Sequence, residues 1–499
     1  MSVTTDTTDG VSASPEQPKP SGTPTPQGRL DRYFEISRRG STVRREILAG
    51  LTTFATMAYI VVLNPLIIGT APDHNGHLLG IAPVAGVTAL VAAVMTILMG
   101  VVGKVPFALA TGLGLNAFVA FSVASKMSWP QAMGLVVIEG LLIALLVLTG
   151  FRQAVFRAIP HELKAAIAAG IGLFIALIGL VDGGIVHRIP DAAHTTVPVQ
   201  LGTDGTLHGW PTVVFVVGLL LIGGLVARRV RGGILLGIVG TTVLAVIVNA
   251  LTHPGPAFVG GKPNPTGWQL NVPTLPHPLL AGPDLHLVGH VSFSAFAQVG
   301  VVTALLLVFT LVLADFFDVM GTTVGLARQA GLATPQGDIP RLGRVLFIDG
   351  AAAAAGGAAS ASSATTYIES SSGIADGGRT GLTSVVTGVL FLGALLLTPL
   401  VSLVPSEAAG PALVVVGALM IRQVRDIDFT DLGVALPAFL TMVLMPFTYS
   451  ITNGIGAGFI SWVVIHVVRG RAREVHPLMW AVSAAFLLYF GINVIEALV

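Results

Sequence analysis

From residue 48 to residue 468 the chain repeats one pattern, an apolar run of about twenty residues followed by a short polar break. Such runs fall near 48–70, 80–102, 106–125, 131–150, 164–181, 211–227, 232–251, 296–321, 343–359, 360–378, 382–403, 407–421, 433–450 and 453–468. A helix needs roughly 17–25 apolar residues to cross hydrocarbon, so the pattern predicts an all-α polytopic membrane protein with fourteen transmembrane segments. The basic residues set its direction. With the N-terminus inside, seven Lys and Arg precede the first run and sixteen fall in inside loops or the inside C-terminal flank. Only Lys126, Arg188 and Lys262 lie outside. That bias puts both termini in the cytoplasm. A further apolar stretch, 477–499, then lies on the membrane or re-enters it.

Two of the runs are not plain. Segment 108–121, ALATGLGLNAFVAF, is interrupted by glycine and carries Asn116; segment 360–373, SASSATTYIESSSG, is rich in serine and carries Glu369. They begin 252 residues apart, the same offset that separates Glu46 near the start of the first run from Gln298 near the start of the eighth, and Pro-x-Glu recurs at 160–162 and 405–407. Seven crossings per half is odd, so the second half enters the membrane inverted. Two inverted seven-span repeats with paired interrupted segments are the signature of a secondary transporter, the interrupted pair marking its binding site. Small polar residues there permit a short extended stretch followed by a half-helix. Such backbone survives at membrane depth only where it lines a protein cavity. A polar helix interface would account for the serines but not for Glu369.

Composition narrows the classes. The chain is 53% hydrophobic and only 10% charged, against roughly 25% charged in soluble domains. A net charge of +1 leaves no nucleic-acid footprint, and the absence of cysteine excludes disulfides, thiolate metal sites and cysteine nucleophiles. Residues 1–28 are rich in Ser, Thr, Pro and Gln and lack the apolar core of a signal peptide; the span 1–45 reads as a disordered cytoplasmic tail. The histidines gather in the two outside loops 182–210 and 252–295 without helical metal spacing, so no metal site is expected.

Every Lys and Arg sits at a run end or in a loop, whereas Glu139, Asp315, Asp318, Asp349 and Glu369 sit inside runs. A carboxylate at the bilayer centre costs on the order of 3 kcal/mol or more. It requires protonation, a water-filled cavity or a ligand with N–H donors. Asp315 and Asp318, at i and i+3, share a helix face; one of them serves packing, and Asp318 is the better ligand candidate. Asp349 serves either an interhelical hydrogen bond or a proton relay, and Glu139 reads as structural. Asn116 can donate and accept, which suits a heterocycle edge, and can equally hold its interrupted segment together. Asp376, beside Gly377 and Gly378, marks the cytoplasmic end of its run.

At these residues a resemblance becomes specific. GLGLNAFVAF, DFFDVMGTTVGLARQAG and SSATTYIESSSGIADGGRTGLTSVVTG resemble the signature segments of the nucleobase–cation symporter-2 superfamily, in its AzgA-like adenine/guanine/hypoxanthine permease branch. LTTFATMAYIVVLNPLIIG and LPAFLTMVLMPFTYSITNGIGAGFISWVV are similar to the same branch, and the resemblance covers about residues 30–480. It implies a core domain of residues 46–160 and 296–403 (spans 1–4 and 8–11) and a gate domain of 161–295 and 404–470 (spans 5–7 and 12–14), with 471–499 membrane-associated. It also implies elevator-like import of purine nucleobases with protons across the plasma (inner) membrane, as a homodimer, with no cofactor beyond the coupling proton. Substrate would be held by Asp318 in the frame ending at Gly321, by Glu369 and Thr366 in the T-T-Y-x-E frame, and by Asn116, with Phe317 among the aromatics available for stacking. The proton would be carried among Glu369, Asp318, Asp315 and Asp349. Adenine, guanine and hypoxanthine are not ranked. An anion transporter of the same fold is the nearest alternative, although a carboxylate at the half-helix start repels anions. An ion channel and a membrane-embedded hydrolase fit less well, since inverted repeats favour alternating access and the runs offer neither a plausible catalytic Ser/His pair nor a metal cluster.

Overall fold

The computed structural model describes residues 28–149, 159–188, 199–203, 205–259, 262–276, 279–332 and 341–496. Its helices in chain order are α1 (Arg29–Phe34), α2 (Val43–Met57), α3 (Ile60–Ile68), α4 (Ile81–Leu98), α5 (Leu113–Phe118), α6 (Trp129–Thr149), α7 (His161–Asp182), α8 (Gly209–Ala227), α9 (Gly233–Thr252), α10 (Ala295–Val299), α11 (Val301–Gln329), α12 (Leu342–Ala358), α13 (Ser370–Ala375), α14 (Gly381–Ala394), α15 (Ser406–Met420), α16 (Leu432–Phe447), α17 (Ile451–Val468) and α18 (Pro477–Glu496). Six strands of two or three residues form three antiparallel pairs. These are β1 (Leu109–Thr111) with β6 (Ala364–Thr366), β2 (Val186–Arg188) with β3 (Val199–Leu201), and β4 (Phe258–Val259) with β5 (Lys262–Pro263).

Among the described residues nine helices are long and apolar enough to cross a membrane, beginning with Val43–Ile68 and ending with Ile451–Val468. The chain is therefore a mostly helical polytopic membrane protein. The runs around 113–126, 301–329, 342–358, 364–375 and 432–447 fall outside that set. Of these, α5, α12, α13 and α16 are each shorter than any of the nine.

Glycine sets how closely the helices approach. The Ala/Gly run of α12 lies against α6, and a Cβ built on Gly140 would stand 2.1 Å from the Ala354 nitrogen and 2.7 Å from the Gly350 carbonyl. Backbone is the obstacle, so no side chain can swing aside. Such small-residue contacts are what hold helices together in lipid, where apolar burial gives no net drive. Gly140→Val is therefore expected to cost at least about 1–3 kcal/mol and to lower both the yield of folded protein and its thermal unfolding midpoint in detergent. A variant that purifies and melts like the parent would refute this packing.

Helix ends use side-chain caps at polar breaks. Thr42 accepts from the Arg45 amide, Thr380 from Leu382 and Asp431 from Gly433. Asp431 also meets Arg469 at 2.6 Å, joining the start of α16 to the end of α17. That guanidinium holds the Asp431 carboxyl down at about 2.

Residues 28–45 depart from the expected disordered tail. Arg29–Phe34 is helical, and Phe34 and Ile36 are buried against Leu382. Arg39 donates to the carbonyls of Lys104 and Arg379, and Glu35 pairs with Arg341 at 2.9 Å. The composition shift at residue 28 ends the Ser/Thr/Pro tract, and beyond it Arg39 finds carbonyl partners on other segments and the Glu35 carboxylate one turn away.

Candidate functional site

The two interrupted segments meet. In each, a three-residue strand leads into a six-residue helix, β1 into α5 and β6 into α13. The strands run antiparallel with Leu109 opposite Thr366, Ala110 opposite Thr365 and Thr111 opposite Ala364. Further bonds lock the pair. Gly112 N–H donates to the Ser363 carbonyl at 3.1 Å, Tyr367 N–H to Ala108 at 2.9 Å, and the Tyr367 hydroxyl to the Thr111 carbonyl at 2.6 Å. Ala108 N–H donates to Ser370 Oγ at 3.0 Å. Backbone that has left helical bonding inside an apolar body is thus satisfied by its counterpart. Helix α11 packs against β6, α5 and α13, so it passes beside this crossing.

The approach to β6 is tight. Ser360 and Ser362 hold φ of +57° and +74°, a region that residues with a Cβ seldom occupy. Ser360 Oγ is tied to the Leu287 carbonyl at 3.1 Å.

The carboxylates sit around the crossing. Glu369 precedes α13 and is half-buried; its Oε1 accepts from the Tyr59 hydroxyl at 2.5 Å, and its carbonyl accepts from Thr56 Oγ1 at 3.4 Å. Asp349, fully buried on α12, accepts from the Thr366 amide at 2.9 Å and the Thr366 hydroxyl at 2.8 Å through one oxygen. Glu139, fully buried on α6, accepts from Ser363 Oγ at 3.1 Å. Asp315 is fully buried on α11. The backbone of Phe317 and Asp318 belongs to the same helix, but their side chains lie outside the described residues. Asn116 is fully buried and donates through Nδ2 to Thr111 Oγ1 at 3.3 Å; its Oδ1 has no partner among the described residues.

Glu369, Thr366, Asp349 and Asn116 are therefore gathered at or beside one strand crossing. Thr366 is turned onto Asp349, so its hydroxyl anchors the strand. The opposite parity of β6 belongs to Thr365, whose buried Oγ1 has no partner among the described residues. Sequence reasoning missed Thr365 and also Tyr59. The only signal for Tyr59 was a lone phenol within the apolar run MAYIVVLNPL. Asp376, at the end of α13, accepts from Thr52 Oγ1 at 2.7 Å and pairs with Arg231, from the turn between α8 and α9.

A polytopic helical bundle with crossed strands at its centre and carboxylates buried around them is the architecture of a membrane transport protein. The chain belongs to the Permease family, whose pattern matches residues 44–457, and it is a transporter, not an enzyme. It is 39% identical over 463 residues to the guanine/hypoxanthine permease PbuG of Bacillus subtilis, covering 92% of this chain and 98% of that one. It is 37% identical over 464 residues to the adenine permease AdeP of Escherichia coli, covering 93% and 96%. Its fold is also similar to the solved transmembrane domain of the cyanobacterial bicarbonate transporter BicA, with a TM-score of 0.57 at 14% identity over 83% of this chain and 97% of that one.

Proposed function

We propose that this chain imports purine nucleobases (hypoxanthine, guanine or adenine) with protons across the plasma (inner) membrane. The observation that carries the reading is the β1–β6 crossing with Glu369 at the entry to α13 and Asn116 on α5. Relatives that cover nearly the whole chain are named as permeases for these bases, and they support the substrate class. Purines present N–H donors beside ring acceptors. A carboxylate accepts such N–H bonds strongly, and Asn116 Oδ1 and Thr365 Oγ1 are buried acceptors that a ligand N–H would satisfy. Asp318, on the helix beside the crossing, is the second carboxylate of the site, with Phe317 offering ring area; Thr366 supports it from behind. The proton passes among Glu369, Asp318, Asp315 and Asp349, and Asp349 also anchors β6.

In this reading fourteen crossings form two inverted repeats, and the N-terminus is cytoplasmic. Residues 46–160 and 296–403 form the core, which moves like an elevator against the gate, 161–295 and 404–470; the protein works as a homodimer. The likeness to a bicarbonate transporter is one of fold alone. A carboxylate at the entry to α13 opposes an anionic cargo.

Thermal stabilisation of the detergent-solubilised protein tests the ligand class, since a ligand at 100 times its Kd stabilises by about 2.7 kcal/mol. Hypoxanthine, guanine or adenine is expected to raise the unfolding midpoint, and bicarbonate and sulfate to leave it unchanged; the reverse pattern would replace the purine with an anion. Tyr59→Phe is expected to fold normally and to weaken purine binding roughly 10–100-fold, because the hydroxyl that holds Glu369 is worth about 1.5–3 kcal/mol. Unchanged affinity in that variant would remove Tyr59 from the site.

A further inference from the structure

Fourteen crossings leave the apolar stretch after residue 476 unexplained. In the structure the chain turns at Ala472–Glu474 and enters α18, twenty residues from Pro477 to Glu496. At 1.5 Å per residue that is about 30 Å, the thickness of a bilayer's hydrocarbon core. No charged residue lies between Glu474 and Glu496.

The helix runs back along α17. Met479, early in α18, lines one cavity with Trp462 and His466, late in α17. Further on, the Phe486 ring meets Phe459 edge-on at 6.2 Å, and Phe486 and Phe490 cover Gly456 near the start of α17. Met479, Val482, Ser483 and Phe486 form the buried face, while Trp480, Leu487, Leu488 and Phe490 form an exposed apolar face suited to lipid. Beyond Phe486, the Tyr489 hydroxyl accepts from Lys126 Nζ at 3.0 Å, and the ammonium stands 5.3 Å from the ring centroid. The charge bias puts Lys126 outside and Arg473 inside. Helix α18 also packs against α11.

We propose that α18 is a fifteenth membrane crossing, which carries the C-terminal end to the outer face and straps the gate, through α17, to the core, through α11 and Lys126. A helix lying flat on the cytoplasmic surface cannot touch both the His466 end of α17 and Lys126. The division into core and gate rests on the transport reading above; the crossing does not.

The chain has no cysteine, so introduced thiols report without background. Two single-cysteine proteins, one with a cysteine appended after Val499 and one carrying Arg473→Cys, are treated in intact cells with a membrane-impermeant maleimide. The appended thiol is expected to label from outside, and the thiol at position 473 only after permeabilisation. An appended thiol that also needs permeabilisation would overturn the crossing. A Lys126→Cys, Tyr489→Cys pair then tests the strap. A short bismaleimide is expected to link the pair and to reduce purine uptake at least tenfold, while a monofunctional maleimide leaves uptake intact. A pair that does not link, or that links without effect on uptake, would overturn the strap. Absence of purine uptake by the unmodified protein would count against the transport reading, while the labelling result still decides the crossing.

Discussion

Glu369→Gln is expected to abolish proton-driven purine accumulation and to weaken purine binding on the order of 10–100-fold, the worth of a hydrogen bond to a charged acceptor. The substitution is nearly isosteric. An amide oxygen can still accept from the Tyr59 hydroxyl, which bonds Glu369 at 2.5 Å in the parent, so the local fold has no reason to change. Only the charge and the capacity to bind a proton are lost. If Glu369 merely completed the packing around α13, uptake and its dependence on external pH would survive. Uptake of labelled hypoxanthine at two pH values, with unfolding of the purified variant as the control, separates the two roles. Intact uptake with an intact pH dependence would remove Glu369 from both binding and coupling.

The second large effect falls on Asp349. One of its oxygens accepts from both the amide and the hydroxyl of Thr366, and the residue is fully buried. Asp349→Ala leaves two buried donors without that acceptor. Each unsatisfied group costs about 1–3 kcal/mol, so roughly 2–6 kcal/mol of stability and the register of β6 are at risk. Asp349→Asn keeps an oxygen in place. The alanine variant is expected to melt well below the parent and to lose uptake. The asparagine variant is expected to melt close to the parent, and its uptake reports proton coupling alone: loss of accumulation places Asp349 in the relay, and retention confines it to anchoring. An alanine variant as stable as the parent would mean that the Thr366 bonds do not hold the strand.

These two residues also mark how far the sequence could be read. Apolar runs, the charge bias and the two odd segments were legible because membrane crossing imposes one-dimensional rules on length and polarity. The meeting of 108–121 with 360–373 was foreshadowed by their spacing. The side on which each residue faces was not. Thr366 and Thr365 differ only by strand parity, and a register set by backbone pairing with a segment 255 residues away is invisible locally. Tyr59 reaches Glu369 across 310 positions, and a lone tyrosine in an apolar run carries no sign of its partner. The docked segment 28–45 was misread for the same reason. Its arginines look like a solvated basic flank until the Lys104 and Arg379 carbonyls are brought to Arg39 and Arg341 to Glu35. Asp376 was legible as a helix end, but its pairing with Arg231 required the fold.

The most direct test of the central claim is uptake of labelled hypoxanthine into cells lacking their own purine transport, with unlabelled adenine, guanine, xanthine and uracil as competitors, at two external pH values. The account predicts accumulation that is stronger at the lower pH and is blocked by one or more of the purines tested and not by uracil. Properly inserted protein that accumulates no purine at either pH would contradict it.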